Sequence, residues 1–162
     1  GAARVHAVDV GYGQLAWSLT QDPRVVVHDR RNIRRLHPRE LGEPIELVVM
    51  DCSFISAAKV LPHLPRFMTA GADAVVLVKP QFEAGREAIS KAGLLKEPET
   101  APAVAAELER WLTEDMGWTS LGLIPSPIAG GDGNEEFLLA GVKPEDANRG
   151  EDDDLEDGED AE

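Results

Sequence analysis

The chain has a single cysteine, Cys52, so no intramolecular disulfide can form and a reducing compartment fits. No stretch approaches the ~20 apolar residues of a membrane helix, and no secretory signal is visible. There is no G-x-x-x-x-G-K-[ST] loop, which argues against a nucleoside triphosphatase. His6, His28, His37 and His63 are scattered without metal-ligand spacing, so no metal site is expected. Ser53 and Ser56 do not sit in a nucleophile elbow. No internal repeat is present. The chain does not begin with methionine, and Gly1-Ala2-Ala3-Arg4 runs straight into a strand pattern, as the middle of a longer protein would.

The 162 residues allow one domain at most, and 43% hydrophobic content is enough for a core. The net charge of −14 is unevenly spread. Residues 1–143 read as the globular part. Residues 144–162 read as a disordered acidic tail, with eleven acidic residues against Arg149 alone from Glu145 onward. With almost no apolar residues, such a segment cannot offset its ordering entropy. The remainder is only mildly acidic. Its arginines gather at Arg24, Arg30, Arg31, Arg34, Arg35 and Arg39, a pattern that suits a phosphate-facing patch.

Strand and helix patterns alternate. Strands are expected at Arg4–Val10, Arg24–His28, Glu46–Met50, Ala74–Val78, Trp118–Ile124 and Glu136–Val142. A short helix over Gln14–Thr20 should bury Leu15, Trp17 and Leu19. Ser53 or Ser56 should cap a helix towards Met68, kinked or split by Pro62 and Pro65. Thr100–Met116 carries Val104, Leu108, Trp111 and Leu112 at helical spacing, with Gly117 as its stop. Arg39–Pro44 reads as a turn and Gln81–Glu97 as a long loop. The fold class is therefore α/β with a mostly parallel sheet. The two closing strands, with no helix between them, form an antiparallel edge hairpin.

The chemistry-bearing residues sit at strand ends, where open α/β sheets place their sites. Lys79 leaves the Ala74–Val78 run and is followed by Pro80, which stops the strand. Partial burial there equips a lysine to handle protons. Asp51 ends the second run and Asp9 the first. Asp9, followed by Gly11-Tyr12-Gly13, could bond ribose hydroxyls of a nucleotide-like ligand. Strand capping or surface pairing explains each of these residues singly, and an ordinary turn explains the glycines. Taken with a carboxylate from Gly133-Asn134-Glu135-Glu136-Phe137, Asp51 and Lys79 suit removal of a proton from a hydroxyl that then attacks an electrophile.

Five segments carry a resemblance. They are Val8-Asp9-Val10-Gly11-Tyr12-Gly13-Gln14-Leu15, Asn32-Ile33-Arg34, Asp51-Cys52-Ser53-Phe54-Ile55-Ser56, Lys79-Pro80-Gln81-Phe82-Glu83-Ala84-Gly85-Arg86, and Pro125-Ser126-Pro127-Ile128 with Gly133-Asn134-Glu135-Glu136-Phe137-Leu138-Leu139. Their order and spacing resemble the TlyA (hemolysin A) family of FtsJ-like ribosomal RNA 2′-O-methyltransferases. The resemblance implies a Rossmann-like class I methyltransferase sheet, S-adenosyl-L-methionine as cofactor, cytidine ribose in ribosomal RNA as substrate, and a cytoplasmic location. It places Asp9, Tyr12, Gly13, Asn32 and Asp51 against the cofactor. It makes Asp51, Lys79 and Glu136 three members of a Lys-Asp-Lys-Glu tetrad, with Glu136 preferred to Glu135 because it directly precedes Phe137.

The resemblance also implies what lies before Gly1: the Gly-rich cofactor loop, the central first strand, the first tetrad lysine and an RNA-binding S4 domain. Residues 1–143 are then a partial methyltransferase domain. Lys91-Ala92-Gly93 stands in place of a more glycine-rich loop, and Ala101 in place of a histidine. The alternative is a non-enzymatic remnant or RNA-binding partner protein. A haemolysin, the family's older label, is more distant because nothing in the chain is membrane-active.

Overall fold

The computed structural model describes residues 1–145. The expected acidic tail therefore lies almost wholly outside the described residues. Two separate sheets form. β1 (Val5–Val8) and β2 (Val25–His28) pair in parallel, with Val5 opposite Val25 and Val8 opposite His28. The second sheet has the order β3 (Ile45–Met50), β4 (Met68–Val78), β6 (Phe137–Val142), β5 (Thr119–Pro125). β3 and β4 are parallel, while β6 runs antiparallel to both β4 and β5. Three strands of this sheet thus point one way and β6 alone opposes them. The antiparallel hairpin at the β5 edge is as the sequence indicated.

β1 and β3 are not hydrogen-bonded to each other. Each leaves one edge unpaired. Val49 on β3 is 73% exposed, and Val5 and Leu47 are also exposed. The expectation of a missing central strand matches this break between the sheets.

One face of the larger sheet carries the core. Ala72, Ala74, Val76 and Val78 of β4, with Phe137 and Leu139 of β6, pack against α4 (Ala101–Glu114), which presents Ala101, Ala105, Leu108 and Leu112 at helical spacing. Trp118 closes this layer. Lys143 seals a corner: its amide donates to the Ala72 carbonyl at 2.9 Å and its ammonium to that of Met68 at 2.9 Å. A second, small core of Leu36, Leu41 and Phe67 receives Val8, Ile33 and Ile45, and so fastens β1 to the second sheet. α2 (Pro38–Leu41) lies here, with a capping box between His37 and Glu40.

Three local expectations are corrected. The helix expected from Ser53 or Ser56 to Met68 is three short 3-10 turns, Ala57–Lys59, Leu61–His63 and Pro65–Phe67. Pro65 starts the third turn and Pro62 is the second residue of the one before it, because proline lacks the N–H that a continuing α-helix would need. β4 begins at Met68 rather than Ala74, with Gly71 at φ +69° accommodating an irregular register against β3. The Gln14–Thr20 helix shrinks to α1 (Trp17–Thr20) and buries nothing; Trp17 is 76% exposed and Leu19 is exposed too. Its apolar side has only the two-stranded sheet beside it, and a single turn cannot gain enough burial there.

Candidate active site

The carboxyl ends of β3 and β4 bring the two central residues together. Met50 sits opposite Val76, so the residues after each strand emerge side by side. The Lys79 ammonium lies 2.7 Å from the Asp51 carboxylate and donates to the Ser53 hydroxyl at 2.9 Å. The Lys79 side chain is 13% exposed, whereas that of Asp51 is 67% exposed. The stem is therefore packed while the charged pair opens to solvent. An ammonium has three donors, and Asp51 and Ser53 engage two of them.

Glu136 approaches from β6. Val78 is the last residue of β4 paired with β6, opposite Phe137, so Lys79 and Glu136 follow across the ladder. Glu136 is 7% exposed, and a Cβ on Gly130 would collide with its carboxylate. Glu135 is exposed. The glycine in the 125–134 loop is thus what lets the loop close over Glu136. Asn134 holds that loop from the other side: its side-chain oxygen accepts from the Leu95 amide at 3.3 Å and its NH2 donates to the Gly93 carbonyl at 3.1 Å. The buried side-chain oxygen of Gln81, two residues beyond Lys79, has no hydrogen-bond partner among the described residues.

Asp9 follows β1. One of its carboxylate oxygens accepts from the Gly11 amide at 2.7 Å, and its backbone bonds His28 and Arg31. Gly13, at φ +67°, donates its amide to Asp29 at 3.2 Å. Tyr12 is exposed, and its ring lies under the Arg30 guanidinium at 4.6 Å. Asn32 turns the chain: its side-chain oxygen accepts from the Arg34 amide at 3.0 Å. Cys52 links the two halves electrostatically. Burial pushes its thiol up from the ordinary range. The Asp51 charge adds to this, Lys79 opposes it, and Asp9 contributes more weakly in the same sense as Asp51.

Sequence reasoning missed Ser53 as a partner of Lys79, Asp29 as the acceptor for Gly13, and Glu83, which reaches back to Ser56. The spacing Asp51-x-Ser53 after a strand was a usable signal for the first. Two open grooves lie elsewhere, about 700 Å³ around Arg39, Phe67 and Thr69, and about 510 Å³ between Glu83 and Trp111. Among the described residues, no cluster of His, Cys, Asp or Glu could hold a metal ion, and no helix is long and apolar enough to cross a membrane.

A mixed sheet with one reversed strand beside its edge, and charged residues at the carboxyl ends of its strands, defines a Rossmann-like class I methyltransferase fold. The N-methyltransferase NodS of Bradyrhizobium japonicum shares that fold, with a TM-score of 0.52 at 11% identity over 87% of this chain and 74% of its own. The chain belongs to the FtsJ-like methyltransferase family, which residues 1–143 match. It is 49% identical over 140 residues to the 16S/23S rRNA (cytidine-2′-O)-methyltransferase TlyA of Mycobacterium tuberculosis, covering 86% of this chain and 52% of that protein. The solved structure of a protein described as a hemolysin from Lactococcus lactis superposes with a TM-score of 0.83 at 36% identity, covering 91% of this chain and 70% of that one. The chain spans about half the length of the curated relatives it matches.

Proposed function

We propose that the whole protein is an S-adenosyl-L-methionine-dependent 2′-O-methyltransferase acting on cytidine ribose in ribosomal RNA in the cytoplasm, and that this chain carries three of its catalytic residues. The observation that carries the reading is the Lys79 ammonium held by Asp51 and Ser53 at the mouth of the sheet, in a chain 49% identical to a TlyA enzyme.

The residues present fit the cofactor. Asp9 keeps one carboxylate oxygen beyond its bond to Gly11 and can accept from ribose hydroxyls. A Cβ on Gly11 would stand 3.2 Å from side-chain atoms of Asp9 and of Gln14, a tight contact in the same turn. Tyr12 and Gly13 flank the same turn. Asn32, whose oxygen is engaged by its own turn, retains its NH2 for a ring nitrogen. When bound, S-adenosyl-L-methionine supplies the electrophilic methyl group.

The third N–H of the Lys79 ammonium, left over by Asp51 and Ser53, donates to the ribose 2′-oxygen and favours loss of its proton to solvent as that oxygen attacks the methyl group. Asp51 fixes the direction of that ammonium, and the buried Glu136, which follows across the ladder, is the third member of the set. Alignment of oxygen and methyl carries most of the rest. The exposed arginines Arg30, Arg34, Arg35 and Arg39 suit RNA phosphates. An S4 domain preceding Gly1 is part of this reading, as is residues 1–143 being one partial methyltransferase domain followed by an acidic tail.

The test is methyl incorporation by the whole protein into ribosomal RNA, with the modified nucleotide mapped. Replacing the target cytidine by its 2′-deoxy form should abolish incorporation. Continued methylation of that RNA would place the chemistry on the base and end the proposal.

A further inference from the structure

The segment Pro80–Glu83, here α3, is a single helical turn that starts directly after Lys79. It touches the loop 51–56 at three points. At its start, the Lys79 ammonium meets Asp51 at 2.7 Å and Ser53 at 2.9 Å. In its middle, the Phe82 ring lies 5.2 Å from that of Phe54, tilted by 54°. At its end, the Glu83 carboxylate accepts from the Ser56 hydroxyl at 2.6 Å with one oxygen and from the Ala57 amide at 2.7 Å with the other. Ser56 in turn accepts from the Ala58 amide at 3.2 Å.

Within the loop, Phe54 has φ +64° and is 89% exposed. A left-handed phenylalanine is strained, and such a conformation persists only where the flanking structure holds it. Little packing restrains this one, so the restraint comes from the two ends of the loop. Asp51 and Ser53 are one end, and Ser56 with Ala57 is the other. The Ser53 hydroxyl and the Asp51 carboxylate can stay on Lys79 only while the loop keeps its course.

We propose that Glu83 is a positioning residue for Lys79: by gripping Ser56 and Ala57 it fixes the 51–56 loop, and through it the Asp51 and Ser53 groups that aim the Lys79 ammonium. Glu83 touches neither the ammonium nor the place of the reacting hydroxyl. The proposal rests on the reading of Lys79 as the group that acts on the ribose hydroxyl.

The experiment uses the whole protein with ribosomal RNA and S-adenosyl-L-methionine. Glu83→Ala should lower kcat by about tenfold to a hundredfold, the range for a misplaced catalytic group. KM for both substrates should stay within about twofold, because Glu83 contacts neither. Hydrogen exchange at the Ala57 and Ala58 amides should accelerate while amides of β4 keep their protection. Glu83→Gln keeps an acceptor for Ala57 and can donate to the Ser56 oxygen, so it should recover most of kcat. If Glu83→Ala does not fold, Ser56→Ala cuts the same link from the other side, and its kcat must fall. An unchanged kcat in Glu83→Ala or Ser56→Ala, beside an inactive Lys79→Ala, overturns the positioning role and leaves Lys79 in place. An active Lys79→Ala overturns both.

Discussion

Lys79→Ala separates chemistry from folding more cleanly than any other change in this chain. The substitution removes an ammonium bonded to Asp51 at 2.7 Å and to Ser53 at 2.9 Å. The Asp51 side chain is 67% exposed, so water can replace the lost partner. An exposed pair of this kind contributes about 1 kcal/mol or less, and the stem of Lys79 adds a modest packing loss. Stability should therefore fall by no more than about 1–2 kcal/mol. Catalysis should fall far more. A positioned acid–base group contributes roughly 10²–10⁴ in rate, which is about 3–5 kcal/mol of barrier. Cofactor affinity should barely change, because a group acting on the hydroxyl proton works in the transition state. The assay pairs methyl incorporation under saturating substrates with calorimetric titration of S-adenosyl-L-methionine, both on the whole protein. Turnover within a few-fold of wild type would refute the role of Lys79. Loss of cofactor binding equal to the loss of turnover would show that Lys79 shapes the pocket instead.

Other consequences follow from the same geometry. Asp9 is exposed, so Asp9→Ala in the whole protein should weaken S-adenosyl-L-methionine binding by about 0.5–1.5 kcal/mol, the range for one ordinary hydrogen bond; equal titration curves would take Asp9 out of the site. Burial lowers the pKa of His28, helped by the charges of His6 and Arg31 and opposed by Glu40, and burial with Arg66 and Arg34 lowers that of His63. The unfolded chain then binds more protons than the folded one just below the ordinary histidine pKa of about 6.5, so stability should drop as pH falls through that value and recover as it rises. Thermal melts at neutral pH and near pH 5.5 check this, and a higher midpoint at the acid pH contradicts it. Residues 1–162 on their own should be marginally stable, self-associate and show negligible methyl transfer, because β1 and β3 leave unpaired edges beside exposed Val5, Leu47 and Val49. A cooperative melt from a monomer that binds S-adenosyl-L-methionine tightly would overturn that expectation.

Much of the fold could be read from the sequence because the period of apolar residues follows directly from backbone geometry. The run Ala74–Val78 has the composition of a buried strand, and α4 repeats its apolar residues every three to four positions, so each element forms wherever it finds a surface. Pro62 and Pro65 likewise spoil a helix by covalent structure alone. Asp9, Asp51 and Lys79 could be marked as candidates because a charge at the end of an apolar run is a local feature.

Other features depended on distance in space. That β6 lies between β4 and β5, that β1 and β3 remain apart, and that the α1 turn buries neither Trp17 nor Leu19 depend on which surfaces meet. The choice between Glu135 and Glu136 rested on sequence position alone, yet their burial differs because the 125–134 loop folds over one face of the strand end. Ser53 on Lys79 and Glu83 on Ser56 join residues 26 and 27 positions apart. The sequence by itself supplied the strands, the α4 helix and the charged strand ends, since those depend on neighbours along the chain. Only the tertiary structure decided which carboxylate and which hydroxyl hold Lys79, since a hydrogen bond of under 3 Å requires two loops to arrive at one point, and no local pattern encodes that meeting.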